Sequence, residues 1–148
     1  MSKTILAIIA LLSGVGLAVQ VGFNSGLRER AGHAIPAALI SFLIGTTVLG
    51  VYTLTTRPSM APLAEMVRGP WWIWMGGIVG ALYVGCSAAF GRKLGAGAWL
   101  GLTITGQLIA SVVLDHYGLV GFTSHPMNGL RLLGAVLLLA GVALILRW

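Results

Sequence analysis

The sequence predicts an all-α integral membrane protein, and three observations carry that prediction. The chain has 148 residues, of which 57% are hydrophobic and only 8% are charged, whereas a soluble domain carries about 25% charged residues. Its mean hydropathy is +0.97. Its apolar residues fall into five charge-poor runs, most of them close to the roughly 20 residues that a helix needs to cross a bilayer. So much apolar surface cannot be buried in one small soluble core, and the chain is predicted to cross the membrane repeatedly.

Five membrane-spanning helices are predicted, at about 4–27, 35–56, 71–91, 95–114 and 130–146. The last is short and has no polar side chain from residue 132 onward. The stretches between the runs hold most of the charges and are too short for a soluble domain. The whole chain, 1–148, is therefore predicted to form a single transmembrane domain. The basic start and apolar stretch at the N-terminus also fit a secretory signal, but the run continues past Gln20, which favours a retained span.

Tryptophan residues lie near the predicted ends of the spans. Trp71, Trp72 and Trp74 begin the third span, Trp99 lies near the start of the fourth, and Trp148 closes the fifth. Tryptophan favours the membrane interface because its ring is apolar while its N–H needs a wet partner. These residues are therefore interpreted as interfacial anchors.

Positive charges are divided almost equally between the two predicted sides of the membrane. One side holds Lys3, Arg57, Arg68 and Arg131, and the other holds Arg28, Arg30, Arg92, Lys93 and Arg147. Because an excess of Lys and Arg normally sets orientation, this balance allows insertion in both orientations. The alternative is that one orientation is still selected. The net charge of +6 is interpreted as Lys and Arg side chains at span ends that contact lipid head groups. No nucleic-acid partner is predicted.

Small residues at regular spacing predict helix-packing faces. They are Gly14, Ala18, Gly22 and Gly26 in the first span, Gly76 and Gly80 in the third, Gly97 and Gly101 in the fourth, and Gly134 and Gly141 in the fifth. Membrane helices associate through close contact at such residues. No phosphate-binding glycine motif is present, so packing is the favoured interpretation.

Polar side chains form rows on three of the predicted spans. The rows are Gln20 and Asn24 on the first, Tyr83 and Ser87 on the third, and Thr103, Gln107 and Ser111 on the fourth. An amide or hydroxyl facing hydrocarbon costs free energy unless it is hydrogen-bonded or faces a wet cavity. The rows therefore predict a binding site for a small polar solute. The alternative is that they only join helices by hydrogen bonds.

Ionisable groups suited to catalysis are scarce. Asp115 and His116 follow the row on the fourth span and could form a proton relay, although such a pair more often caps a helix end. No catalytic triad, paired carboxylates or metal-binding motif is found. The single cysteine, Cys86, lies inside the third span. No enzymatic activity, catalytic residue, metal or cofactor is predicted.

Several segments together resemble the bacterial YdcZ-type family of the drug/metabolite transporter superfamily. They are Gln20, Asn24 and Leu27, "SFLIG" at 41–45, "PWWIWMGGIVGALYV" at 70–84, "LGAGAWLGLTITGQLIAS" at 94–111, "DHYGLVG" at 115–121 and "RLLGAVLLLAGVAL" at 131–144. One departure is the segment "FGRKLGAG", which has Arg92 and Lys93 near the position where the family usually has a proline. A connection of different shape from that of the family is therefore expected here.

The resemblance implies half of a ten-helix, inverted-repeat transporter of the EamA type. It implies a bacterial inner-membrane protein that moves a small polar metabolite by alternating access as an antiparallel, dual-topology homodimer, or with a paralogous partner. Small multidrug exporters of this superfamily carry a glutamate in the first helix, and no acidic residue lies at 4–27 here. An exporter lacking that glutamate, and a non-transporting accessory or assembly subunit, are the alternatives.

Overall fold

The computed structural model describes residues 2–147, most of which are helical, with no strand among them. Six α-helices follow one another along this part of the chain. They are α1 (Lys3–Ala31), α2 (Ala34–Thr56), α3 (Leu63–Val67), α4 (Met75–Leu94), α5 (Ala96–Tyr117) and α6 (Gly129–Ile145). Trp148, the predicted anchor of the last span, lies outside the described residues.

Helix α1 has clear start and stop signals. The Ser2 hydroxyl accepts a hydrogen bond from the backbone N–H of Ile5, and Gly32 ends the helix with φ +76°. This left-handed conformation is one that glycine adopts without steric cost. Between the end of the predicted span at residue 27 and the helix end at Ala31, α1 carries Arg28, Glu29 and Arg30, whose long side chains can reach the head-group region. The helix is therefore longer than its apolar segment.

The connection between α4 and α5 is a single residue. A short 3-10 turn at Trp71–Trp74 leads into α4, which continues through Arg92 and Lys93 to Leu94. Gly95 then breaks the helix with φ +83°, a conformation that L side chains rarely adopt. Glycine thus provides the break in a segment where a proline was expected from the resemblance.

Four of the helices are long and apolar enough to cross a membrane: α1, α2, α4 together with the preceding turn, and α5. Helix α6 has 17 residues and is about 26 Å long, slightly less than a hydrocarbon core of about 30 Å. The five-span count is not confirmed by these lengths and stays a prediction. The short helix α3 lies in the segment predicted to be a loop, where Pro62 precedes its first turn.

The chain divides after Arg92 into two compact units. In the first unit, α2 contributes the buried residues Ala34, Ala37 and Ala38, and α4 contributes Val84 and Ala88. Most large apolar side chains of α1, α2 and α4 are exposed instead, as expected for surfaces that contact lipid.

In the second unit, α5 and α6 pack through glycine. A Cβ atom added at Gly101 would lie 3.2 Å from Cγ2 of Val142, and one at Gly97 would lie 3.8 Å from Cγ2 of Ile145. Val142 is buried. Small residues on α5 thus allow α6 to approach closely.

The other predicted packing residues differ in their surroundings. Gly80 lies against the ring of Phe42, with 3.5 Å between an added Cβ and Cζ, and Ala18 is half-buried. An added Cβ would meet open space at Gly14, Gly22, Gly26, Gly76, Gly134 and Gly141. For these six residues, packing stays a prediction that would require a neighbour outside the single chain.

Candidate functional site

The amide of Gln20 lines a small cavity within the first unit. The cavity has a volume of about 220 Å³ and is formed by α1, α2 and α4. Its lining residues are Gln20, Ser41, Phe42, Gly45, Thr46, Leu49 and Val84. Gln20 and Ser41 are half-buried, and Thr46 is exposed. One amide and two hydroxyl groups can therefore donate to, and accept from, a solute bound in this cavity.

Asn24 lies one turn further along α1 and is only 3% exposed. Its amide nitrogen, Nδ2, is buried and has no hydrogen-bond partner. A buried donor without a partner costs about 1–3 kcal/mol, and such groups in native proteins call for an explanation. The polar row predicted on α1 thus divides into Gln20 at a cavity and Asn24 in a closed interior position.

Two serines accompany Asn24 where α1 and α4 approach closely. Ser25 and Ser87 are 4% and 1% exposed, and each hydroxyl oxygen would lie 3.9 Å from a Cβ added at Gly91. Ser25 donates to the carbonyl oxygen of Val21 at 2.8 Å. Tyr83, also on α4, is half-buried. The structure therefore places Asn24 and Ser87 in the polar interior of the first unit.

The ends of α1 and α4 are joined by an ion pair between Glu29 and Arg92. Both side chains are more than half exposed, so the pair adds little to stability. The pair does engage Glu29, the acidic residue of α1. Glu29 lies at the end of the helix, away from Gln20.

The row on α5 belongs to the second unit. Thr103 donates to the carbonyl oxygen of Trp99 at 2.8 Å, and Ser111 donates to that of Leu108 at 2.9 Å. These hydroxyl groups are satisfied within their own helix and keep their acceptor capacity. The Gln107 side chain is exposed. Thr105, which is not part of the predicted row, is 8% exposed and its buried hydroxyl has no partner.

Asp115 and His116 hold the segment at 118–128 against the ends of α5 and α6. His116 Nδ1 accepts from the N–H of Met127 at 3.1 Å, and the His116 carbonyl oxygen accepts from Ser124 Oγ at 3.2 Å. Arg131 Nη1 donates to the His125 carbonyl oxygen at 2.9 Å and lies 3.4 Å from Asp115 Oδ2. These contacts secure a segment in which Val120 adopts a positive φ of 55°, an outlier for a β-branched residue. A role of this pair as a proton relay stays a prediction.

Replacing Arg131 by methionine is expected to loosen this segment. The change removes the guanidinium bonds to Asp115 and His125, which are worth about 1 kcal/mol in this half-exposed setting. Amide hydrogen exchange at residues 118–128 should therefore accelerate about fivefold, as measured by mass spectrometry. The control is Arg68→Met, which removes an exposed arginine of the first unit. Unchanged exchange in Arg131→Met would show that the guanidinium contacts do not order the segment.

Sequence reasoning missed the contribution of α2 to the cavity. Ser41 and Gly45 are four residues apart, which places them on one helix face, and Thr46 follows directly. That spacing is a usable signal, but it is short and lies within a strongly apolar helix. Among residues 2–147, no three His, Cys, Asp or Glu side chains come together as metal ligands.

Comparison with known families gives one assignment. The family model described as "Putative inner membrane exporter, YdcZ" matches residues 5–144. Comparisons with curated proteins and with solved structures give no significant match. The match covers nearly the whole chain and agrees with the apolar, helical architecture. The chain therefore belongs to the YdcZ family of the drug/metabolite transporter superfamily and is a protein of the inner membrane.

Proposed function

We propose that the protein transports a small neutral, zwitterionic or anionic metabolite, and that the cavity at Gln20 is part of its binding site. The observation that carries this proposal is the meeting of Gln20, Ser41 and Thr46 from two membrane helices at one cavity. These side chains can read hydroxyl, carbonyl and amine groups by hydrogen bonding. None of them ionises, so the site selects by hydrogen-bond pattern.

The cavity volume supports a site that a second copy completes. Pockets for drug-sized ligands measure about 300–1,000 Å³, and this cavity, at about 220 Å³, is smaller. Thr46 is exposed at its edge. A second copy in the opposite orientation would close that edge and give the inverted repeat that alternating access uses. The balanced charges of the two sides support insertion in both orientations.

Proton-coupled export of cationic drugs is disfavoured. That chemistry needs an ionisable group in the membrane, and an amide such as Gln20 cannot supply one. Tetraphenylphosphonium uptake into proteoliposomes gives a direct test. Uptake that depends strictly on a pH gradient would overturn the proposal of a neutral or anionic substrate.

Replacing Thr46 by valine is expected to lower transport about fivefold. Valine matches the shape of threonine and removes one hydroxyl from the cavity, and a typical hydrogen bond is worth about 1 kcal/mol. Uptake of a panel of neutral amino acids, polyols and short-chain carboxylates would be measured in proteoliposomes. Ser41→Ala should act in the same direction.

The matched control is Thr47→Val on the same helix. Thr47 is exposed, does not line the cavity, and donates to the carbonyl oxygen of Leu43 at 2.8 Å. Its replacement should leave uptake unchanged. If no panel member is transported, or if both valine variants behave alike, the cavity is not a transport site. Such a result would favour the accessory-subunit alternative.

A further inference from the structure

A second, larger groove lies in the first unit, and its lining shares only Phe42 with that of the polar cavity. It has a volume of about 820 Å³ and is bounded by α2 and α4, with Arg28 of α1 at one end. Its lining is otherwise almost entirely apolar and includes Leu39, Phe42, Ile78 and Leu82. Gln20, Ser41 and Thr46 do not line it.

The polar groups of the groove are confined to one end. Arg28 lies in the last turn of α1, and His33 caps the start of α2 with its Nδ1 accepting from the N–H of Ile35 at 3.2 Å. Both residues belong to the end of the first unit where the apolar segments meet water. The N-terminus of α2 adds positive potential at the same end. The opposite end of the groove, at Phe42 and Ile78, is apolar.

Arg28 is a cation without a counter-ion in the described part of the chain. The neighbouring acid, Glu29, is paired with Arg92, and no acidic side chain forms a salt bridge with Arg28 among residues 2–147. Arg28 is nevertheless half-buried at the mouth of the groove. The Nε2 atom of His33 is also available as a donor when the ring is neutral, since Nδ1 acts as the acceptor. This end of the groove therefore suits an anion.

The length of the groove matches one leaflet. From Ala34 to Phe42 on α2 the rise is about 12 Å, and from Phe90 back to Ile78 on α4 it is about 18 Å. Half of a hydrocarbon core is about 15 Å thick. A chain lying in the groove with its polar group at Arg28 would thus end near the middle of the bilayer.

We propose that this groove binds an anionic phospholipid, with an acyl chain along α2 and α4 and its phosphate at Arg28 and His33. The charge at the water-facing end and the apolar remainder together match this one class of ligand. Basic residues near a membrane surface attract anionic lipids. The bound lipid would fill a gap between two helices that the chain's own side chains leave open.

The single cysteine of the chain provides a native reporter. Cys86 lines the groove and its thiol is exposed. Its alkylation by N-ethylmaleimide would be followed by intact-mass spectrometry of the full chain in neutral detergent, with added phosphatidylglycerol or phosphatidylcholine. Phosphatidylglycerol is expected to slow alkylation about fivefold more than phosphatidylcholine, the preference that one basic residue confers. Native mass spectrometry would count the lipids retained.

Arg28→Gln is expected to abolish this preference, whereas Arg30→Gln should keep it. Arg30 lies in the same last turn of α1, is exposed, and does not line the groove. A third variant, Ala81→Trp, places a large ring in the groove from an exposed lining position, so it should reduce retention of both lipids without changing any charge.

Four outcomes would overturn the proposal. Equal protection by both lipids would show that no anion is recognised, and equal effects of the two glutamine variants would show only surface attraction. Protection of Cys86 that depends on protein concentration and not on added lipid would indicate a second copy in the groove. Full lipid retention by Ala81→Trp would place the lipid elsewhere and also contradict the proposal.

Discussion

Gly91→Leu is expected to prevent the first unit from folding, and Gly91→Ala to lower its free energy of unfolding by about 1–3 kcal/mol. A Cβ atom at this position would lie 2.6 Å from Cγ1 of Val21, closer than carbon atoms can pack. Val21 is 3% exposed, and a β-branched side chain in a helix has one strongly preferred rotamer. Helices α1 and α4 must therefore move apart to make room for the added atom.

The loss of stability would be measured by titrating the protein from neutral detergent into sodium dodecyl sulfate and following its helicity. Gly77→Ala is the matched control, since it lies on the same helix and an added Cβ there meets open space. Alanine is favoured over glycine in helices by about 1 kcal/mol, so this control should be neutral or slightly stabilising.

Measuring Gly91→Ala in a chain that already carries Val21→Ala tests whether the contact with Val21 causes the destabilisation. Alanine lacks the Cγ1 atom, so Gly91→Ala should cost clearly less in this background than in the natural chain. An equal cost in both backgrounds would show that the destabilisation arises elsewhere than at the approach of α1 to α4.

The close approach at Gly91 also illustrates what the sequence could predict. Ser87 and Gly91 are four residues apart on α4, and counting serine among the small residues would have marked this face. The apolar runs, by contrast, predicted the helical membrane architecture directly, because hydrocarbon leaves the backbone few alternatives to a helix.

The face of α1 that becomes buried could not be predicted from residue size. Val21, Asn24 and Ser25 are buried, whereas the smaller Gly14 and Gly22 are exposed in the single chain. Which arc of a membrane helix is covered depends on the shape of the neighbouring helices, and lipid distinguishes weakly between one apolar face and another. The polar row therefore indicated that α1 has an inner side, but not which of its two amides lines the cavity.

Asn24→Leu is expected to stabilise the protein by about 1–2 kcal/mol while reducing transport more than tenfold. Its Nδ2 atom is buried without a partner, and leucine fills a similar space without a donor to satisfy, which removes the desolvation cost. A donor kept at such a cost can serve a second conformation, in which α1 has moved and Nδ2 binds the solute or another helix. If the protein transports its solute by alternating access, as the proposed pairing of inverted copies would allow, the cycle includes such a conformation.

Both quantities would be measured on one preparation, by dodecyl sulfate titration and by proteoliposome uptake of the solute from the metabolite panel. Ser25→Ala is the control, because its hydroxyl is already satisfied by the Val21 carbonyl oxygen and its loss should change neither quantity strongly. If Asn24→Leu lowered stability, Nδ2 would have a partner in the resting protein. If it gained stability with full transport, the unpaired amide would have no part in the conformational cycle. A stable but inactive variant would link the cost of this one buried donor to transport.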